Sequence, residues 1–220
     1  SLVPTKLEEK NHTAVDFSYD ENWQPNNGNN ISRFEKNIAA IKTLKLVEEE
    51  QRYATPEEQE TLSQYVGWGG LAMFFDENNS DSYKTQKEEL KAVLTEEEYK
   101  SARASVTDAF YTPRAVIDGI YQALERFGFT TGNILEPSMG IGNFYSGMPE
   151  HMKRNSNRYG VEIDSISGRI AKLLHPNCNI QITGIESAQL PQNFFDCVIG
   201  NVPFGEYKVN DKKFNKENFM

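Results

Sequence analysis

The sequence predicts an α/β fold: a parallel sheet read as far as its fourth strand, preceded by a small all-helical unit. Two observations carry this. From Asp108 onward, strand, turn and helix signals alternate, which implies parallel strands joined by right-handed crossovers. Between residues 33 and 107, apolar residues recur instead at helical spacing, broken by helix starts and glycine stops. The sheet is organised around Asn133–Phe144. There an apolar pair, Ile134-Leu135, ends in Glu136 and runs into a turn holding Gly140 and Gly142. Glycines at such a place let a backbone approach a ligand closely.

Taken in order, residues 1–32 are polar and Asn-rich and read as a loop or disordered arm. Phe34, Ile38, Ile41, Leu44 and Val47 mark a helix beginning near Arg33. Thr55-Pro56-Glu57-Glu58 is a capping box with Pro at the first helical position, and the helix it opens carries Leu62, Tyr65 and Val66. Gly67-Trp68-Gly69-Gly70 stops it. Trp68 reads as a packing plug before a base-stacking surface. Lys84–Leu94 is a further surface helix, and Thr95-Glu96-Glu97-Glu98 opens another through about Ser105.

Thr112 as cap and Pro113 as first residue begin a helix whose apolar face is Val116, Ile117, Ile120, Tyr121, Leu124 and Phe127, ended by Gly128. Arg158–Ile163 is a strand, Ser165–Leu174 a helix closed by His175-Pro176, and Asn179–Thr183 and Phe195–Ile199 are strands. The domain reading is therefore 1–32 arm, 33–107 helical unit and 108–220 sheet.

With 220 residues and a net charge of −9, the chain can bury one good core and does not grip nucleic acid strongly by overall charge. Any DNA contact needs a local patch or another segment. No apolar run reaches membrane-spanning length, and the start lacks a signal-peptide layout. Cys178 and Cys197 have no metal-ligand spacing and read as buried reduced thiols, which points to a cytoplasmic setting.

Four features gather chemistry at the ends of the strands. Glu136 with Gly140 and Gly142 is the first. The second is Glu162, about 20 residues past the glycine turn, where an acid commonly accepts from ribose hydroxyls; Asp164 beside it reads as a helix cap. In the third, Gly184-Ile185-Glu186-Ser187, Glu186 is a surface acid or an acceptor for the amino group of an adenine. The fourth is Gly200-Asn201-Val202-Pro203-Phe204-Gly205 after the apolar run Cys197-Val198-Ile199. An Asn side-chain carbonyl and the next backbone carbonyl can both accept from one amino group, an aromatic ring can stack on the same base, and proline stiffens the turn. Two acceptors pull a conjugated amino nitrogen toward tetrahedral geometry and free its lone pair. A nucleotide-binding oxidoreductase is disfavoured, because Tyr145 stands where the dinucleotide fingerprint has its third glycine.

Leu135–Phe144, Gly160-Val161-Glu162-Ile163-Asp164 and Asn201-Val202-Pro203-Phe204 resemble the S-adenosylmethionine, acidic and catalytic motifs of DNA adenine-N6 methyltransferases. Phe110-Tyr111-Thr112-Pro113 is similar to the cofactor motif that precedes the sheet in the subgroup where the catalytic motif comes last. Tyr65–Leu71 and Ile199–Gly205 resemble more closely the methylase region of large helicase–methylase proteins of bacterial conjugative elements and phages.

The resemblance spans roughly residues 55 to 212 and implies a Rossmann-like S-adenosylmethionine-dependent methyltransferase sheet acting on DNA, without a metal. Tyr111, Thr112 and Glu136 would hold the methionine end of the cofactor. The backbone around Ser138, Gly140 and Gly142 would line its centre, Glu162 would hold its ribose and Glu186 its adenine amino group, with Pro137 and Ile163 also among the cofactor-binding residues. Asn201, the Val202 carbonyl, Pro203 and Phe204 would clamp a flipped adenine. The family has Pro where this chain has Val202, so one restraint is lost and an inactive DNA-docking module attached to a helicase is the alternative. Other planar amino groups would suit the same acceptor pair. Further strands and a target-recognition segment are expected beyond the fourth strand, which makes the chain part of a larger polypeptide. The basic stretch Lys208–Lys216 reads as a DNA-facing loop or a solvated end.

Overall fold

In a computed structural model, residues 14–20, 22–24, 28–76, 82–107 and 112–202 are described. The helical unit consists of α1 (Asn30–Glu49), α2 (Pro56–Ser63), α3 (Lys84–Val93) and α4 (Glu96–Ala104). The sheet half follows as α5 (Arg114–Arg126), β1 (Asn133–Glu136), α6 (Asn143–Ser146), α7 (Glu150–Asn155), β2 (Asn157–Glu162), α8 (Ser165–Leu174), β3 (Asn179–Ile182) and β4 (Cys197–Val198). None of these helices is long and apolar enough to cross a membrane.

Local chemistry explains most boundaries. Asn29 accepts from Ser32 N and starts α1 earlier than its apolar stripe suggests. Thr55 with Glu58, and Thr95 with Glu98, form reciprocal capping boxes, each contributing about 1 kcal/mol. α2 ends sooner than expected, so Tyr65 and Val66 fall in the loop that follows it. The cap of α5 is Pro113, with no side-chain hydrogen bond, and not Thr112. Ile117, Ile120, Tyr121 and Leu124 form the stripe of α5 that joins the sheet core. Val116 and Phe127 lie about a quarter turn off that stripe on a helix of 3.6 residues per turn, and both are exposed.

The strands are all parallel, in the order β3-β2-β1-β4. Ile134 pairs with Arg158 and Cys197, and Tyr159 pairs with Asn179. β4 is shorter than the sequence suggests. Its flanking residues nonetheless continue the ladder, since Asp196 N donates to Asn133 O and Ile199 N to Leu135 O. The connection after β1 runs toward β2 and β3, while β4 returns to the other side of β1. The strand order thus reverses between β1 and β4, the place where open α/β sheets bind ligands beyond their carboxyl ends.

α8 lies between the two halves. Ala171 packs with the sheet, whereas Ile166, Ile170 and Leu174 join one core with Phe34, Leu44, Leu62 and Trp68. Trp68 is fully buried, edge-on to Tyr65 and Phe75, so it is the packing plug. Within residues 1–32, the described segments 14–20 and 22–24 pack against the rest of the chain. Phe17 and Trp23 are buried, Phe17 N donates to Leu174 O at 2.7 Å, and Asp16 pairs with Arg158 at 2.6 Å. Cys178 and Cys197 are half-buried free thiols.

Candidate active site

Beyond the carboxyl ends of the strands lies a cavity of about 320 Å³, within the range of small-molecule sites. The tip of β1 contributes Glu136, Pro137, Ser138, Met139 and Gly140, and the tip of β2 contributes Glu162, Ile163 and Asp164. Thr183 to Glu186 follow β3, Asn201 follows β4, and Thr112 precedes α5. Residues spread from 112 to 201 therefore meet because parallel strands all end on one side.

The turn after β1 is built for close approach. Gly140 and Gly142 have φ of 55° and 86°, in the left-handed region that favours glycine. Gly140 N donates to Glu162 Oε2 at 2.7 Å, binding the β1 turn to the β2 tip. Gly142 does a different job from the one expected. It does not line the cavity; a Cβ there would meet the His175 ring at 2.5 Å. His175 is buried and held neutral, its pKa pushed down to about 3 by burial and by Lys153, and its Nε2 is 3.2 Å from Ser146 Oγ.

Three carboxylates stand at three strand tips in unlike surroundings. Glu136 is 2% exposed, and its Oε2 has no hydrogen-bond partner among the described residues. Burial, and then the neighbouring Glu162, push its pKa well above the usual range. Glu162 is also raised by burial, though N–H groups of Asp164 and Gly140 oppose this by donating to its two oxygens. Each of those oxygens keeps a lone pair for a further donor. Glu186 is exposed, curled over Gly184 so that a Cβ on that glycine would touch its carboxylate. Asp164 is the cap of α8, accepting from Ser167 N at 2.8 Å and also from Ser101 Oγ at 3.2 Å.

Of the residues singled out in the sequence, Thr112, Glu136, Pro137, Ser138, Gly140, Glu162, Ile163, Glu186 and Asn201 line one cavity. Val202 is half exposed next to it. Tyr111, Pro203, Phe204 and the Lys208–Lys216 stretch lie outside the described residues. The site reading missed Tyr65, Gly67 and Ser105, which reach the cavity from the helical unit. The glycine-rich run around Trp68 was a signal for Gly67 alone.

The profile of the N-6 DNA Methylase family matches residues 94–220. The defense against restriction protein B of Escherichia phage P1 is 40% identical over 98 residues, covering 44% of this chain and 4% of the phage protein. Two solved structures are similar in outline. A class I S-adenosylmethionine-dependent methyltransferase of Listeria monocytogenes has a TM-score of 0.40 at 15% identity, covering 80% of this chain and 61% of that one. The type I restriction-modification methyltransferase subunit of Streptococcus thermophilus has a TM-score of 0.41 at 16% identity, covering 81% and 46%. The cavity fits the cofactor implied by the family profile: an unpartnered buried carboxylate suits a cationic amine, and the Glu162 acceptors suit a diol. With a partial Rossmann-like α/β sheet, the chain belongs to the N-6 DNA methylase family, whose cofactor is S-adenosylmethionine.

Proposed function

We propose that this chain holds S-adenosylmethionine for methylation of the N6 amino group of adenine in DNA. The observation that supports it best is the single cavity where Glu136, Glu162, Glu186 and Asn201 converge at the strand-order reversal. On this reading Glu136 accepts from the ammonium of the methionine end, with Thr112 beside it. Pro137, Ser138 and Gly140 pass along the middle of the donor. Glu162 accepts from the ribose hydroxyls while Gly140 N and Asp164 N keep its carboxylate in place. Ile163 offers an apolar rim beside the base, and Glu186 accepts from the adenine amino group.

The donor supplies a sulfonium-bound methyl group. The Asn201 side-chain carbonyl and the Val202 backbone carbonyl would accept from the target amino group and free its lone pair for the methyl carbon; the sulfonium S–C bond would break as the N–C bond forms, and one amino proton would pass to solvent. By their place in the motif, Pro203 would stiffen this segment and Phe204 would stack on a base taken out of the duplex, offsetting part of an unstacking cost of a few kcal/mol. Catalysis is by orientation and exclusion of water. The matched segment spans 4% of the phage relative, so we read the chain as one part of a long polypeptide that supplies the remaining DNA contacts, and the resemblance carried by Tyr65–Leu71 and Ile199–Gly205 points to a helicase elsewhere in it.

Calorimetry with S-adenosylmethionine tests the donor site, and absence of binding counts against it. A methylation assay on adenine-containing DNA, comparing wild type with Asn201→Ala, tests the acceptor site. Equal signal from both removes Asn201 from catalysis.

A further inference from the structure

The cavity has a second wall, and it comes from the helical unit. Tyr65, Gly67 and Ser105 line it opposite no charge of their own, while the strand tips bring the carboxylates. We propose that the loop after α2, together with the turn after α4, forms the outer wall of the methyl-donor site, and that Asn37 positions it. The helical unit is then part of cofactor binding and not only support. This inference rests on the donor-site reading above.

The wall is built to hold its shape. Asn37 is fully buried on α1. Its Nδ2 donates to Gly67 O at 2.7 Å, and its Oδ1 accepts from Val66 N at 2.9 Å. A side-chain amide can satisfy a backbone C=O and a nearby N–H together, which an apolar residue at this place cannot. Gly67 has φ of 65°, so the loop depends on glycine there. Arg33 Nη2 donates to Gly69 O at 2.8 Å. Gly70 N donates to Val106 O at 3.0 Å, joining this loop to the segment that carries Ser105.

The wall is also tied to the strand tips. Ser101 of α4 donates to Asp164, which itself lines the cavity next to Glu162. Arg169 of α8 pairs with Glu98 of α4 and Glu48 of α1. Behind the wall, buried Trp68 sits edge-on to Tyr65 with ring centroids 6.5 Å apart. A glycine-rich loop free of such ties would be mobile. Here the strand-tip carboxylates share one cavity with a tied, neutral surface from the helical unit. That arrangement suits a flat nucleoside carrying a cationic tail, held by acids on one side and by van der Waals contact on the other.

Amide hydrogen exchange on the wild-type 220-residue chain, with and without S-adenosylmethionine, tests the wall directly. The expected result is cofactor-dependent slowing at residues 65–70 and 104–107 as well as at the strand tips. Slowing confined to the strand tips overturns the proposal. In Asn37→Ala, slowing at 65–70 is expected to disappear while slowing near Glu136 and Glu162 remains; retained slowing at 65–70 overturns the positioning role. Ser105→Trp, which fills the cavity from the helical side only, is expected to raise the Kd about tenfold or more at unchanged ligand-free Tm. An unaltered Kd in that variant overturns the proposal. A wild type that does not bind the cofactor overturns the donor-site reading first, so the two failures are distinguishable.

Discussion

Glu98 in the helical unit and Glu136 at the tip of β1 are the same residue, both nearly buried, with opposite protonation behaviour. Glu98 accepts from Lys45 Nζ at 2.8 Å, Arg169 Nη1 at 2.5 Å and Thr95 N at 2.8 Å. Burial alone would raise its pKa, but these bonds outweigh it and hold the carboxyl at about 2. Glu136 has one oxygen with no partner, so burial and Glu162 push it up unopposed. The scaffold cancels the cost of burying charge within the chain. The site leaves it uncancelled, and a cationic ligand is what would complete it.

The largest expected effect lies on the scaffold side. Asp16 and Arg158 are 8% and 5% exposed and paired at 2.6 Å. Asp16→Ala leaves the guanidinium buried without that partner and is expected to lower stability by about 3 kcal/mol. The measurement is a lower urea midpoint at unchanged m-value. A loss under about 1 kcal/mol would mean the scaffold pairs matter no more than surface ones, and the comparison would break.

Glu136→Gln is the matching change at the site, with the opposite sign for stability. A carboxyl whose folded pKa is raised contributes stability at low pH that is lost as pH climbs past its ordinary value of 4.5. Removing it is expected to make the ligand-free chain more stable at neutral pH while weakening cofactor binding by about tenfold to a hundredfold, the worth of a charged hydrogen bond. A cationic amine favours the ionised form, so binding to wild type releases a proton and tightens as pH rises. Calorimetry in two buffers of different protonation heat should detect that proton in wild type and none in the variant.

A smaller effect is expected at Glu98. Its depressed pKa means stability is present above 4.5 and lost as pH falls toward about 2. Glu98→Gln should cost about 1 to 2 kcal/mol near neutral pH. Its stability and that of wild type should converge in acid unfolding curves below pH 4.5.

The strand-and-helix alternation and the carboxylates at the strand tips were legible because both are local: the first is a period, the second a residue at the end of an apolar run. The two capping boxes were legible for the same reason. What escaped was set by contacts distant in sequence. Nothing near Gly142 announces that His175 packs against it, so a glycine read as ligand-facing proves to make room for the His175 ring. Phe17 and Trp23 sit in a polar stretch whose composition reads as disordered, yet α2, α7 and α8 offer them partners such as Leu174, Ser63 and Lys153. Tyr65 and Ser105 look like ordinary helix-end residues until α8 brings the helical unit against the strand tips.

Glu186 sharpens the comparison from its weak end. It lines the same cavity as Glu136 but is exposed, with Ser187 Oγ donating to its Oε1 at 3.5 Å. Water already solvates it, so removing it relieves no burial cost and stability should change by less than about 0.5 kcal/mol. If it accepts from the adenine amino group, Glu186→Ala should weaken cofactor binding by only about threefold to tenfold, the value of one net hydrogen bond. The discriminating comparison uses a donor analogue whose base lacks that amino group. Wild type should prefer the adenine form, and Glu186→Ala should bind both alike. Equal preference in the two proteins would assign Glu186 to solvated surface, leaving the buried pair Glu136 and Glu162 as the carboxylates that hold the ligand.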